Sequence, residues 1–149
     1  MKSDPTFPKR VASIDIGTNT ILLLIAEVNK GVLKPLLEKE TIVRLGEGVQ
    51  QNGVLLEGAM ERGIQTLTQY LRDCREMDAQ RIFAAGTSAL REAKNAGDFL
   101  KRVEQKLNLA IEIISGEEEA QLSFLAVARD LGNPEKPILV VDVGGGSTE

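Results

Sequence analysis

One pattern occurs twice in this chain, a domain length apart: a short apolar strand that ends in aspartate and breaks at once into glycine and hydroxyl residues. The first copy is Ser13-Ile14-Asp15-Ile16-Gly17-Thr18-Asn19-Thr20 and the second Val140-Val141-Asp142-Val143-Gly144-Gly145-Gly146-Ser147-Thr148. Glycine lets a backbone come close to an anion, successive N–H groups form a nest, and Ser and Thr hydroxyls add further donors. The strand carries the aspartate to the edge of a sheet, where it can hold a cation or a water beside a phosphate. Each copy alone also reads as a plain hairpin turn. Their recurrence points to phosphate binding by Asp15, Gly17, Thr18, Asn19 and Thr20 on one side and by Gly144, Gly145, Gly146, Ser147 and Thr148 on the other.

The segments between the copies define the fold class. Residues 1–9, with two prolines and no apolar run, read as a disordered arm and not as a secretory signal. The strand Val11–Ile16, the run Ile21–Val28 and the extended stretch Val32–Leu45 are joined by tight turns, as in an antiparallel meander. Leu56, Met60, Ile64, Leu67, Leu71 and Cys74 then recur at helical spacing, the stripe of a helix laid on a sheet with Cys74 as a core residue. Strands follow at Arg81–Ala85 and Ala110–Ile114, with helices at Ala89–Asn95, Asp98–Leu107 and from Ser115 to about Leu131. Residues 133–137 read as a linker and Ile138–Val143 as a last apolar strand. The order βββαβαβα predicts an α/β domain over residues 10–132, a mixed five-stranded sheet with helices on both faces, followed by the first strand of a second similar domain at 138–149. That order is the one used by the ribonuclease-H-like fold, the building block of actin-like ATPase domains.

Composition narrows the chemistry. The 149 residues include no histidine and a single cysteine, Cys74, which excludes Ser-His-Asp and Cys-His mechanisms, His/Cys zinc sites and internal disulfides. Acid–base work therefore falls to carboxylates, lysine, tyrosine, hydroxyls or a metal-bound water. A net charge of −4 offers no basic field for a nucleic-acid duplex. The longest apolar stretch, Ile21–Ala26, is too short for a membrane span, so a soluble, cytoplasmic chain is expected. Asp142 and Glu149 flank the glycine loop and suit Mg²⁺, which takes one or two carboxylates together with phosphate oxygens and waters. Ser115 and Glu118 have the spacing of a capping box at a helix start. Arg91 carries a planar fork that matches phosphate. Thr87 and Ser88 are candidate helix caps, and Arg44 stands open between a second phosphate ligand and a salt-bridged strand residue.

Five stretches resemble the exopolyphosphatase/guanosine pentaphosphate phosphohydrolase family of the actin-like ATPase superfamily. They are Asp15–Thr20, Arg44-Leu45-Gly46-Glu47-Gly48, Gly86-Thr87-Ser88-Ala89-Leu90-Arg91-Glu92-Ala93-Lys94-Asn95, Ile114-Ser115-Gly116-Glu117-Glu118-Glu119-Ala120, and Asp142–Glu149. Thr20 stands where the family often has serine, which keeps the hydroxyl. The resemblance implies a hydrolase that removes terminal phosphate from inorganic polyphosphate or a phosphorylated guanine nucleotide, with the substrate in a cleft between two such domains. It implies Glu119 as the general base, Asp142 and Glu149 in catalysis or Mg²⁺ binding, and Arg91 as a phosphate contact. The 149-residue piece alone is then expected to be weak or inactive, with its unpaired last strand open to pairing with a second copy. Two rivals remain: a kinase or ATPase of the same superfamily, and a non-catalytic nucleotide-sensing module.

Overall fold

The computed structural model describes residues 9–132 and 137–149; the arm at residues 1–8 and positions 133–136 of the linker lie outside the described residues. The element order is β1 (Arg10–Ile16), β2 (Thr20–Asn29), β3 (Val32–Ile42), α1 (Val49–Asn52), α2 (Glu57–Glu76), β4 (Arg81–Gly86), α3 (Ser88–Glu92), α4 (Ala96–Leu107), β5 (Glu112–Ile113) and α5 (Gly116–Leu131). These strands form one five-stranded sheet in the order β3-β2-β1-β4-β5. The first three are antiparallel, whereas β4 runs parallel to β1 and β5 parallel to β4. The predicted mixed sheet and its strand order in sequence are both present.

Register decides which face is the core. Ala12, Ile14 and Ile16 of β1 stand opposite Ile25, Leu23 and Ile21 of β2, and all six are buried. Cross-strand partners share a face, so these pairs form one apolar surface. On it lie Met60, Ile64, Leu67, Leu71 and Cys74 of α2 and Phe99 and Val103 of α4, all buried. Gly63 lets Phe99 of α4 come close to α2, since a Cβ there would stand 3.2 Å from the phenyl ring. Buried Tyr70 donates to the Ile21 carbonyl at 3.0 Å and shares a 2.8 Å hydrogen bond with Thr41, which fastens α2 across β2 and β3. The other face presents Ser13, Asp15, Leu22 and Phe83.

Three local features depart from the sequence reading. Residues 49–52, which fall between the elements read from the sequence, make a single helical turn bracketed by Gly48 at φ 82° and Gly53 at φ 69°. A turn this short leaves no periodicity to read. The strand expected at Ala110–Ile114 pairs only at Glu112 and Ile113. Ile138–Val143 makes no ladder and forms one isolated bridge, Val143 with Thr148. A strand exists only through its neighbours, and Leu139, Val141 and Val143 are 89%, 59% and 76% exposed.

Candidate active site

The parallel strands β1 and β4 end side by side, Ile16 against Gly86, and the loops that leave them form the floor of the site. Ligands in open α/β sheets collect at this carboxyl edge. Gly17 N–H closes the first turn on the Thr20 carbonyl at 2.9 Å. Val43 and Arg44 N–H both donate to the Asn19 carbonyl at 2.8 Å, and Gly46 N–H donates to the Thr18 carbonyl at 2.9 Å. A Cβ on Gly46 would collide with the Thr18 methyl. The Arg44–Gly48 stretch is therefore a buttress that braces the first loop from behind.

The second loop repeats the first. Asp142 and Glu149 exchange two backbone hydrogen bonds of 3.0 Å, and Gly144 N–H closes the turn on the Ser147 carbonyl at 3.0 Å. Asp15 stands opposite Leu22 in the same way, so Glu149 takes the place of Leu22 in the second hairpin. The tips of the two hairpins touch. A Cβ on Gly146 would stand 2.6 Å from Thr18 Oγ1 and 2.8 Å from Ser88 Oγ, and one on Gly145 would collide with the Asn19 amide. Only glycine permits this approach without displacing those side chains.

Around this contact lie the expected carboxylates. Ser115 Oγ accepts from Glu118 N–H at 3.1 Å and Glu118 accepts from Ser115 N–H at 2.8 Å, the capping box expected there. The hydrogen bonds from Ser115 hold the Glu118 carboxyl below the usual range. The next residue, Glu119, turns inward and pairs with Arg91 at 2.6 Å. Arg91 also faces Glu149 at 3.5 Å. Asp142 accepts from Ser123 Oγ of α5 at 2.7 Å. Asp15 is exposed at the rim, yet neighbouring atoms crowd its carboxyl. That desolvation, reinforced by the charges of Glu119 and Asp142, raises its pKa from 3.8 to about 6.

A cavity of about 250 Å³ opens beside the loop contact, lined among others by Thr18, Asn19, Arg44, Ser88, Gly145 and Gly146. Arg44, at φ 52°, makes no ion pair among the described residues. A more open hollow of about 490 Å³ near Leu71, Leu107 and Leu109 holds none of the predicted site residues. Thr18, Asn19, Gly145 and Gly146 are thus brought together, as are Arg91, Glu119 and Glu149. Gly17, Thr20, Gly144, Ser147 and Thr148 instead shape the turns.

Two contributors escaped the sequence reading. The sequence offers Ser88 only as a cap, but its hydroxyl donates to Glu92 at 3.1 Å and stands against Gly146; neither it nor Thr87 makes a capping bond. Ser123 offers one faint signal, a lone hydroxyl in the run Leu122-Ser123-Phe124-Leu125. Asn95 turns out to be architectural, clamping Leu55 N–H at 2.7 Å and the Leu55 carbonyl at 3.0 Å.

Opposed residues of an antiparallel pair project to one side, so Asp142 and Glu149 present their carboxylates together. Among the described residues no three acidic, His or Cys side chains are gathered as a metal cage. Two carboxylates fit Mg²⁺, whose remaining positions are filled by phosphate and water. Among the described residues no helix is long and apolar enough to cross a membrane.

A model of the Ppx/GppA phosphatase family matches residues 24–149. The Aquifex aeolicus Ppx/GppA family member is 44% identical with a TM-score of 0.83, over 93% of this chain and 45% of that one. An exopolyphosphatase from Cytophaga hutchinsonii is 35% identical with a TM-score of 0.87, over 93% and 45%. An exopolyphosphatase-like protein is 36% identical with a TM-score of 0.86, over 93% and 43%. The chain spans less than half the length of each.

Proposed function

The chain belongs to the Ppx/GppA phosphatase family and carries its mixed-sheet, actin-like ATPase fold, and from that premise we propose that it supplies the water-directing half of a phosphoanhydride hydrolase. The substrate is a linear polyanion with a terminal phosphoryl group: inorganic polyphosphate, or a guanine nucleotide such as guanosine pentaphosphate. The observation that carries this reading is the meeting of the two glycine hairpins, Gly146 against Thr18 and Ser88, beside a cluster of carboxylates.

Backbone amides of both loops and the hydroxyls of Thr18 and Ser88 hold the terminal phosphoryl oxygens. Glu119 orients a water in line with the terminal phosphorus. The water oxygen bonds to phosphorus, the bridging P–O bond breaks, its electron pair leaves with the shortened chain, and Glu119 takes the proton. An ion-paired carboxylate is better at aiming a water than at stripping it. That suffices, because a loose phosphoryl-transfer transition state asks mainly for positioning and charge neutralisation. Mg²⁺, held by Asp142 and Glu149, supplies positive charge to the phosphate oxygens when bound.

The test is phosphate release from polyphosphate, guanosine pentaphosphate and ATP by the intact protein and its Glu119→Gln variant. The variant is expected to lose about 10²–10⁴-fold in kcat on polyphosphate with little change in KM. Equal turnover by both proteins, or faster release from ATP than from polyphosphate, would overturn the reading.

A further inference from the structure

Arg91 projects from α3 into the gap between α5 and the second hairpin, where three oxygens meet its guanidinium. Nη1 donates to Glu119 at 2.6 Å and to the Ile114 carbonyl at 3.1 Å, which engages both of its hydrogens. Nη2 stands 3.5 Å from the Glu149 carboxylate. None of the three side chains is free to swing, with Arg91 22%, Glu119 19% and Glu149 7% exposed. A guanidinium manages this because its donors are fixed in one plane; an ammonium is a single point charge.

Resting on the hydrolase reading above, we infer that Arg91 is a positioning residue. Through Glu119 it sets the angle of the group that directs water. Through Glu149 it holds the second hairpin at the separation where both loops grip one phosphate. One cation thereby joins carboxylates from two distant segments, so the aim of the first depends on the docking of the second. A phosphate ligand behaves differently. Losing a ligand that grips bound substrate and transition state equally raises KM, whereas losing a positioning group lowers kcat while substrate affinity holds.

The experiment uses the intact protein with polyphosphate as substrate and non-hydrolysable imidodiphosphate as binding probe. Arg91→Gln is expected to lower kcat about 100-fold and Arg91→Lys about tenfold, with KM and probe affinity within about threefold of wild type. Glu149→Gln is expected to lower kcat less in the Arg91→Gln background than alone, because the pair acts as a unit. Circular dichroism checks folding, and if Arg91→Gln does not fold, Arg91→Lys carries the comparison. A rise in KM or loss of probe affinity of about tenfold or more at unchanged kcat overturns the inference. An active wild type that is sensitive to Glu119→Gln but loses only affinity at position 91 defeats this inference alone. A wild type that neither binds nor cleaves polyphosphate defeats the hydrolase reading and this inference with it.

Discussion

In the hairpin joining β1 to β2, Gly17 N–H reaches the Thr20 carbonyl at 2.9 Å; in the one that ends the chain, Gly144 N–H reaches the Ser147 carbonyl at 3.0 Å. The turns are alike because an aspartate, one apolar residue and a glycine set the same local geometry twice. Their foundations differ. Ile16, one residue before the first glycine, is fully buried, while Val143, at the same place in the second copy, is 76% exposed. The first hairpin belongs to a packed sheet. Among the described residues, the second is held at its glycine tip, by Ser123 and by Arg91. Turn shape is thus written locally, whereas turn placement is a property of whatever the flanking strands pack against.

The sharpest way to break this contrast is to truncate the matched apolar residues. Ile16→Ala should destabilise the chain by about 2–5 kcal/mol, a transfer and cavity loss inside a packed core. Val143→Ala should stay within about 0.5 kcal/mol. Urea unfolding of both variants checks the pair, and similar losses would show that the second hairpin is as firmly packed as the first. Gly146→Ala probes the tip. Its methyl would meet Thr18 Oγ1 at 2.6 Å and Ser88 Oγ at 2.8 Å, forcing the loops apart. Turnover by the intact protein should fall about 100-fold with the unfolding midpoint unchanged, because no core contact is touched.

A smaller effect than the core truncation is expected at Asp15. Its folded pKa, about 6, lies above the ordinary 3.8, since desolvation and then the charges of Glu119 and Asp142 disfavour ionisation. Stability from this group is full below about pH 3.8 and declines as pH rises through about 6. Asp15→Asn should remove that decline and gain about 1 kcal/mol at pH 7, after allowance for solvent screening of an exposed group. Thermal unfolding between pH 4 and pH 8, scales set by those two values, reads it out. An unchanged slope would mean that Asp15 ionises as freely as in the unfolded chain.

The same division explains what could be read from the amino-acid order. The α2 stripe was legible because Met60, Ile64, Leu67, Leu71 and Cys74 repeat with the helix period and all five are buried. The capping box was legible because Ser115 and Glu118 need only each other. Both glycine loops were legible as turns. The contact between Gly146 and Ser88 was not, since it joins residues from different ends of the chain through space. Nor was the hold of Ser123 on Asp142, which depends on where α5 lies.

The box at the head of α5 has a consequence for mutational tolerance. Glu118 is tied to Ser115, and Glu119 follows about 100° around the helix, given 3.6 residues per turn. The clamp thus works as an index mark for everything after it. A codon deleted between the serine and the second of these glutamates would leave an acid to close the box but bring Ala120 to the place that faces the guanidinium, without unfolding the helix. Point changes at Glu117 should pass unnoticed, while the loss of one residue from this run should leave Arg91 without its acid.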